Sequence, residues 1–160
     1  MDEGTCDYWA ATMLGTPHIW ILHRRHDDQE IHSRSLASPK TMADYDSSPE
    51  ADPHSNGTIW AAALWDLRTR LDALQPDGAR RTDLLVLRAL LLLGQLRAPR
   101  KELRRARESY EMGMAALVRA DELLHAGRNR EAILTCFGKR GIHLTRFGSY
   151  HGALPEGVRE

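Results

Sequence analysis

The sequence predicts a mainly α protein, a helical bundle preceded by a long irregular segment at 16–57. Three observations carry that expectation. Large apolar residues recur three and four positions apart through the C-terminal two-thirds, which is the period of one helix face. Glycine and proline fall between these stretches, where helix ends require them. No stretch shows the alternation of a strand with comparable strength.

Taken in order, the first helix spans 3–14, because Gly15 and then Pro17 supply a stop. Residues 16–57 are rich in Pro, Ser, Asp and His and hold no sustained period. An irregular segment of that length is uncommon in a compact domain and is usually functional when ordered. Functional residues are therefore expected there. From Thr58 the chain turns helical, with Trp60, Leu64, Leu67, Leu71 and Leu74 forming one stripe until Pro76, Asp77 and Gly78 end it. A second bundle helix covers 82–93, with Thr82 as its cap and Gly94 as its close. A third covers 101–125 and stops at Ala126-Gly127. A fourth covers 130–139, with Asn129 as candidate N-cap and Gly141 beyond its end. The remaining tail, 147–160, is polar and expected to fray. The chain thus divides into 1–57, a helical part at 58–146, and the tail.

Composition narrows the function classes. Among 160 residues, 42% are hydrophobic and 28% charged, the balance of a soluble globular protein. Lysine plus arginine equals aspartate plus glutamate at 22 each, so no net field draws the chain to nucleic acid or a membrane. The run "RAPRKELRRAR" sets Arg100, Arg104 and Arg107 on one face, but Glu102 and Glu108 beside them favour a solvated helix start. The stretch "LLVLRALLLLG" is broken by Arg88 and too short to span a bilayer. Cys6 and Cys136 could pair but make no disulfide framework. No signal-peptide pattern follows Met1, so the chain as written is expected in the cytoplasm.

Four local signals bear on chemistry. Glu3 and Asp7 stand one helical turn apart on one face, where like charges repel by about 0.2–0.5 kcal/mol. A solvated helix start explains them, and so does a cation beside them. Arg34 lies in "SRSLASPKT" and His54 in "DPHSNG", where Asp52 could orient the histidine. The fourth signal is the histidines of 18–32. Of these, His23 and His26 in "HRRH" lack the acid of H-E-x-x-H and fit a polar loop. Neither a G-x-S-x-G elbow, a P-loop nor a Rossmann glycine pattern occurs.

"DEGTCDYWAA", "SRSLASPKT", "PHSNGTIWAAALWDLR" and "YEMGMAALVRADELLHAGRNREAILTCFGKRGI" follow one another in an order that resembles the C-terminal half of fungalysin-type peptidases. These are zinc metallopeptidases of the thermolysin-like group. The resemblance covers roughly residues 2–142, with looser agreement at 16–53 and 93–108. It implies a helical C-terminal subdomain, a partial active-site region at 1–57, and hydrolysis of internal peptide bonds. By position in E-G-x-x-D, Glu3 matches the third zinc ligand, and Asp7 the carboxylate that orients a zinc-bound histidine. His54 matches the histidine that stabilises the oxyanion, and Arg34 the arginine that holds a substrate carbonyl. Gly57 matches the glycine where the chain enters the long helix, whereas Thr58 stands where the family commonly has glutamate.

The H-E-x-x-H motif, which supplies the family's general base and first two ligands, does not occur in these 160 residues. The chain alone is accordingly expected neither to hold zinc nor to cleave peptides. Its implied partners are a peptide or protein substrate, once an N-terminal half completes the site. The intact family is secreted, which sits against the lack of a leader and the free thiol of Cys6. The alternative from another class is a non-catalytic helical remnant that acts as an interaction protein.

Overall fold

Helix boundaries follow local capping chemistry in a computed structural model that describes residues 1–19, 34–95 and 106–144. Five α-helices occur among the described residues: α1 (Asp2–Leu14), α2 (Pro53–Leu74), α3 (Gly78–Gln95), α4 (Ala106–His125) and α5 (Arg130–Gly138). Among the described residues of the irregular chain, a single 3-10 turn (Met42–Asp44) and one isolated bridge between His18 and Ser35 occur. The mainly α class is thereby shown. The basic run's first residues, His23, His26 and the tail lie outside the described residues.

Two helix starts differ from expectation, each for a stated reason. α2 begins at Pro53 rather than Thr58, because the Asp52 carboxylate accepts the backbone N–H groups of His54 and Ser55. Proline in the first turn loses nothing there, since its missing N–H would have been unpaired anyway. His54 and Gly57 are therefore helical residues and not part of the irregular segment. α3 begins at Gly78 rather than Thr82, whose hydroxyl donates back to the Gly78 carbonyl from inside the helix. The stop at Gly15 is as expected, in a left-handed conformation at φ 68°.

The core is built around α2. Trp60, Leu64, Leu67 and Leu71 are buried, while Leu74 at the end of the stripe is 68% exposed. Trp60 stacks on Tyr110 at 5.9 Å between centroids and meets Phe137 edge-on at 5.0 Å. Its indole N–H donates to Thr5 Oγ1 at 3.1 Å, so the largest core side chain leaves no buried donor unpaired. Gly113 on α4 makes room for it, since a Cβ there would stand 2.5 Å from the indole ring.

Two devices set the relation of the N-terminal part to this core. α1 and α2 cross in backbone contact at Gly4 and Gly57, where a Cβ on Gly4 would lie 2.1 Å from the Gly57 carbonyl oxygen. Arg140, just past α5, binds two stretches of chain, α2 and the segment 38–42. Its Nε and Nη2 donate to Asp66 Oδ2 at 3.0 and 2.7 Å, and Nη1 donates to the Ser38 carbonyl and, at 2.9 Å, to the Lys40 carbonyl. The Arg140 carbonyl in turn accepts the Met42 N–H at 2.8 Å. The irregular segment is thereby tied to the bundle. Cys6 is exposed and Cys136 buried, both as free thiols, so the possible pair does not form. Burial pushes the Cys136 thiol above its ordinary pKa. No helix among the described residues is long and apolar enough to cross a membrane.

Candidate functional site

The Gly4–Gly57 crossing lays the first two turns of α1 beside the first turn of α2. Glu3 and Asp7, on one face of α1, are thereby placed against His54. Glu3 Oε2 lies 3.2 Å from His54 Nε2, and Asp7 Oδ2 lies 3.5 Å from His54 Nδ1. From the irregular segment, Arg34 Nη1 donates to Asp7 Oδ1 at 3.4 Å. The residues named from sequence as Glu3, Asp7, Arg34 and His54 thus form one cluster drawn from three stretches of chain.

Their environments differ. Asp7 is 5% exposed, whereas the Glu3 side chain is 46% exposed. The His54–Asp7 approach is too long to count as a made hydrogen bond. Asp7 Oδ2 and His54 Nδ1 are both buried, and neither has another partner. Two orphaned polar atoms facing each other carry a desolvation cost that a shorter contact would relieve. Contacts of this kind are commonly long in unliganded sites and tighten when a substrate arrives.

Asp52 plays another part than the one expected of it. Its carboxylate accepts backbone N–H groups at the start of α2, at 3.0 Å from His54 N and 3.2 Å from Ser55 N, and so places the His54 backbone rather than its ring. Asp7 is the carboxylate that faces the ring. Three supporting residues escaped the sequence reading: Gly4, Arg140 and Lys40, whose ammonium donates to Ser55 Oγ at 2.5 Å. Gly4 had a readable signal, since a glycine between two acids on a helix is a natural place for a close crossing. Arg140 had none, because its partners lie 74 to 102 residues away.

Among the described residues, no three His, Cys, Asp or Glu side chains converge so as to hold a metal ion. Glu3 offers one accessible carboxylate, but one ligand does not make a zinc site. The residues present therefore do not fit the metal by themselves. What the cluster can do unaided is narrower: fix an imidazole. Asp7 stands behind Nδ1, Arg34 holds the other Asp7 oxygen, and Nε2 faces the more exposed Glu3 side. A ring set this way can offer Nε2–H to a substrate oxygen once Glu3 yields its place.

No family model, curated protein or solved structure matches the chain.

Proposed function

We propose that this chain is the C-terminal part of a fungalysin-type, thermolysin-like zinc metalloendopeptidase and forms the substrate-facing side of its active site. One observation supports this above all. Residues singled out by motif order, in three separate stretches, form one connected cluster in which each stands within 3.5 Å of at least one other. In this reading Glu3 supplies one carboxylate to the metal, and the other ligands and the general base come from a half carrying H-E-x-x-H. The bound metal would polarise the scissile carbonyl and activate water. His54 donates from Nε2 to the oxyanion, Asp7 keeps the ring aligned, and Arg34 positions Asp7 and the substrate carbonyl. The substrate is a peptide or protein, and the helical part at 58–146 is the C-terminal subdomain of such an enzyme.

The test supplies the missing half. The chain is mixed with the N-terminal half of a fungalysin-type peptidase and zinc, and casein hydrolysis is followed. Expected is cleavage that a chelator abolishes, that Glu3→Gln eliminates, and that His54→Ala lowers by about 10²–10³-fold, as for loss of an oxyanion donor. The chain alone is expected to be inactive. Failure of the two halves to associate, or activity indifferent to His54→Ala, overturns the proposal.

One feature favours a second reading, that of a non-catalytic interaction protein. Leu84, Leu87 and Leu91 lie 45%, 48% and 53% exposed along one face of α3. Light scattering on the purified chain separates the two: a stable monomer argues against a role that depends on this face.

A further inference from the structure

At the opposite end of α2 from His54, about 24 Å along the helix axis at 1.5 Å per residue, an open cavity of about 220 Å³ lies between α2 and the start of α5. Arg70 and Arg128 line it, together with Gln75, Asn129 and Glu131. Arg70 is half-buried, and its Nε is cut off from solvent with no hydrogen-bond partner. Among the described residues, neither Arg70 nor Arg128 has an acidic partner within ion-pair distance. The Arg70 Nε is a buried donor without an acceptor, which costs free energy, while the exposed Arg128 brings a second unpaired guanidinium to the same cavity.

The wall behind them is rigid. Gln75 Nε2 donates to Asn129 Oδ1 at 3.0 Å, and the Asn129 amide and backbone N–H donate to Asp121 at 2.7 and 2.8 Å. Asn129 is thereby occupied and makes no side-chain cap on α5, whose first turn opens beside the cavity. Glu131 is the one opposing charge in the lining. It selects among anions, because sulfate carries no proton near neutrality, whereas inorganic phosphate keeps at least one and a phosphate monoester keeps one on part of its population. A carboxylate can accept a hydrogen bond from a P–OH group, but it repels a fully ionised oxyanion.

We propose that this cavity binds a phosphate group, free or esterified to a small molecule, through the Arg70 and Arg128 guanidinium forks, with Glu131 accepting from its protonated oxygen. Arginine suits this role because its planar donors match phosphate oxygens in pairs. The site is separate from the His54 cluster and asks nothing of a metal.

The experiment is calorimetric titration of the full chain with inorganic phosphate, sulfate and glycerol phosphate at matched ionic strength. Phosphate is expected to bind saturably and at least about tenfold more tightly than sulfate. Arg128→Gln, at an exposed position, is expected to weaken it about tenfold, the loss typical of one hydrogen bond to a charge. Arg70→Gln should do the same, with circular dichroism checking that it folds. Glu131→Gln should close the gap between phosphate and sulfate. Tighter binding of glycerol phosphate than of phosphate supports an esterified ligand, and the reverse supports a free one. Equal binding of phosphate and sulfate, indifference to Arg128→Gln, or no saturable binding overturns the proposal.

Discussion

Asp7 and Asp121 are both buried carboxylates, and the chain holds them in opposite ways. Asp121 is fully buried and both its oxygens are filled, one by the Asn129 backbone N–H at 2.8 Å and one by the Asn129 amide at 2.7 Å. The connection between α4 and α5 is built for this, with Ala126 at φ 53° and Gly127 at φ 75° turning the chain back onto α4. Asp7 has a guanidinium at 3.4 Å and an imidazole nitrogen at 3.5 Å that makes no hydrogen bond. A carboxylate saturated by close, sequence-local donors is a strut. One left with spare acceptor capacity, facing a histidine, has room to exchange partners, which is what the proposed peptidase chemistry asks of it.

The largest break in this comparison comes from Gly4→Ala. A Cβ 2.1 Å from the Gly57 carbonyl cannot be relieved by a side-chain rotation, so α1 must shift off α2 and carry Asp7 from His54. A loss of more than about 3 kcal/mol is expected in urea unfolding, at or beyond the upper end for overpacking. The Asp121 set should survive in whatever remains folded. Next is Asp121→Ala, which orphans two buried donors on Asn129. About 3 kcal/mol is expected, and a loss below about 1 kcal/mol would show that the set is no strut. Asp7→Asn keeps shape and removes charge. It should cost only about 1 kcal/mol, while lowering peptidase activity in the two-half assay and moving the His54 ring resonances in NMR spectra. Equal stability losses for the Asp7 and Asp121 variants would erase the distinction.

The smallest effect concerns an exposed carboxylate. Hydrogen bonds from the Thr41 backbone N–H and then its hydroxyl hold the Asp44 carboxyl below the ordinary 3.8. With the folded value depressed, its contribution is full above the unfolded value and disappears as pH falls through the folded one. Asp44→Asn should therefore lower stability slightly at neutral pH, where the contribution is full, and flatten the acid limb below about pH 4, so that the two profiles converge in acid. An unaltered acid limb would mean that the cap at Thr41 contributes nothing.

Much of this architecture was legible in the sequence where the signal is local. The stripe from Trp60 to Leu71 and the stop at Gly15 depend on neighbours within a turn or two, and both appear as expected. The start of α2 was misplaced because "DPHSNG" looks like a turn until Asp52-Pro53 is recognised as cap and first helical residue. Asn129 sits at a cap position, yet its side chain serves Asp121, a choice only the folded connection reveals. The membership of Glu3, Asp7, Arg34 and His54 in one cluster was legible through motif order. Their distances were not, because these rest on the Gly4–Gly57 crossing and on Arg140, which act between segments far apart in sequence.

Arg140 also sets an order of events. Proteins emerge from the ribosome N-terminus first and fold in part as they do so. The cluster's residues all lie at or before position 54, yet the segment that presents Arg34 is tied down at Ser38, Lys40 and Met42 by a residue made some hundred positions later. During synthesis, α1 and α2 can pair while that segment still lacks its anchor. The anchor at 38–42 is thus set only when the residues just past α5 have left the tunnel. A nascent chain halted before Arg140 would keep Arg34 paired to the chain after α1, where its carbonyl accepts the Ile19 N–H at 3.3 Å, and would leave Ser38, Lys40 and Met42 untied.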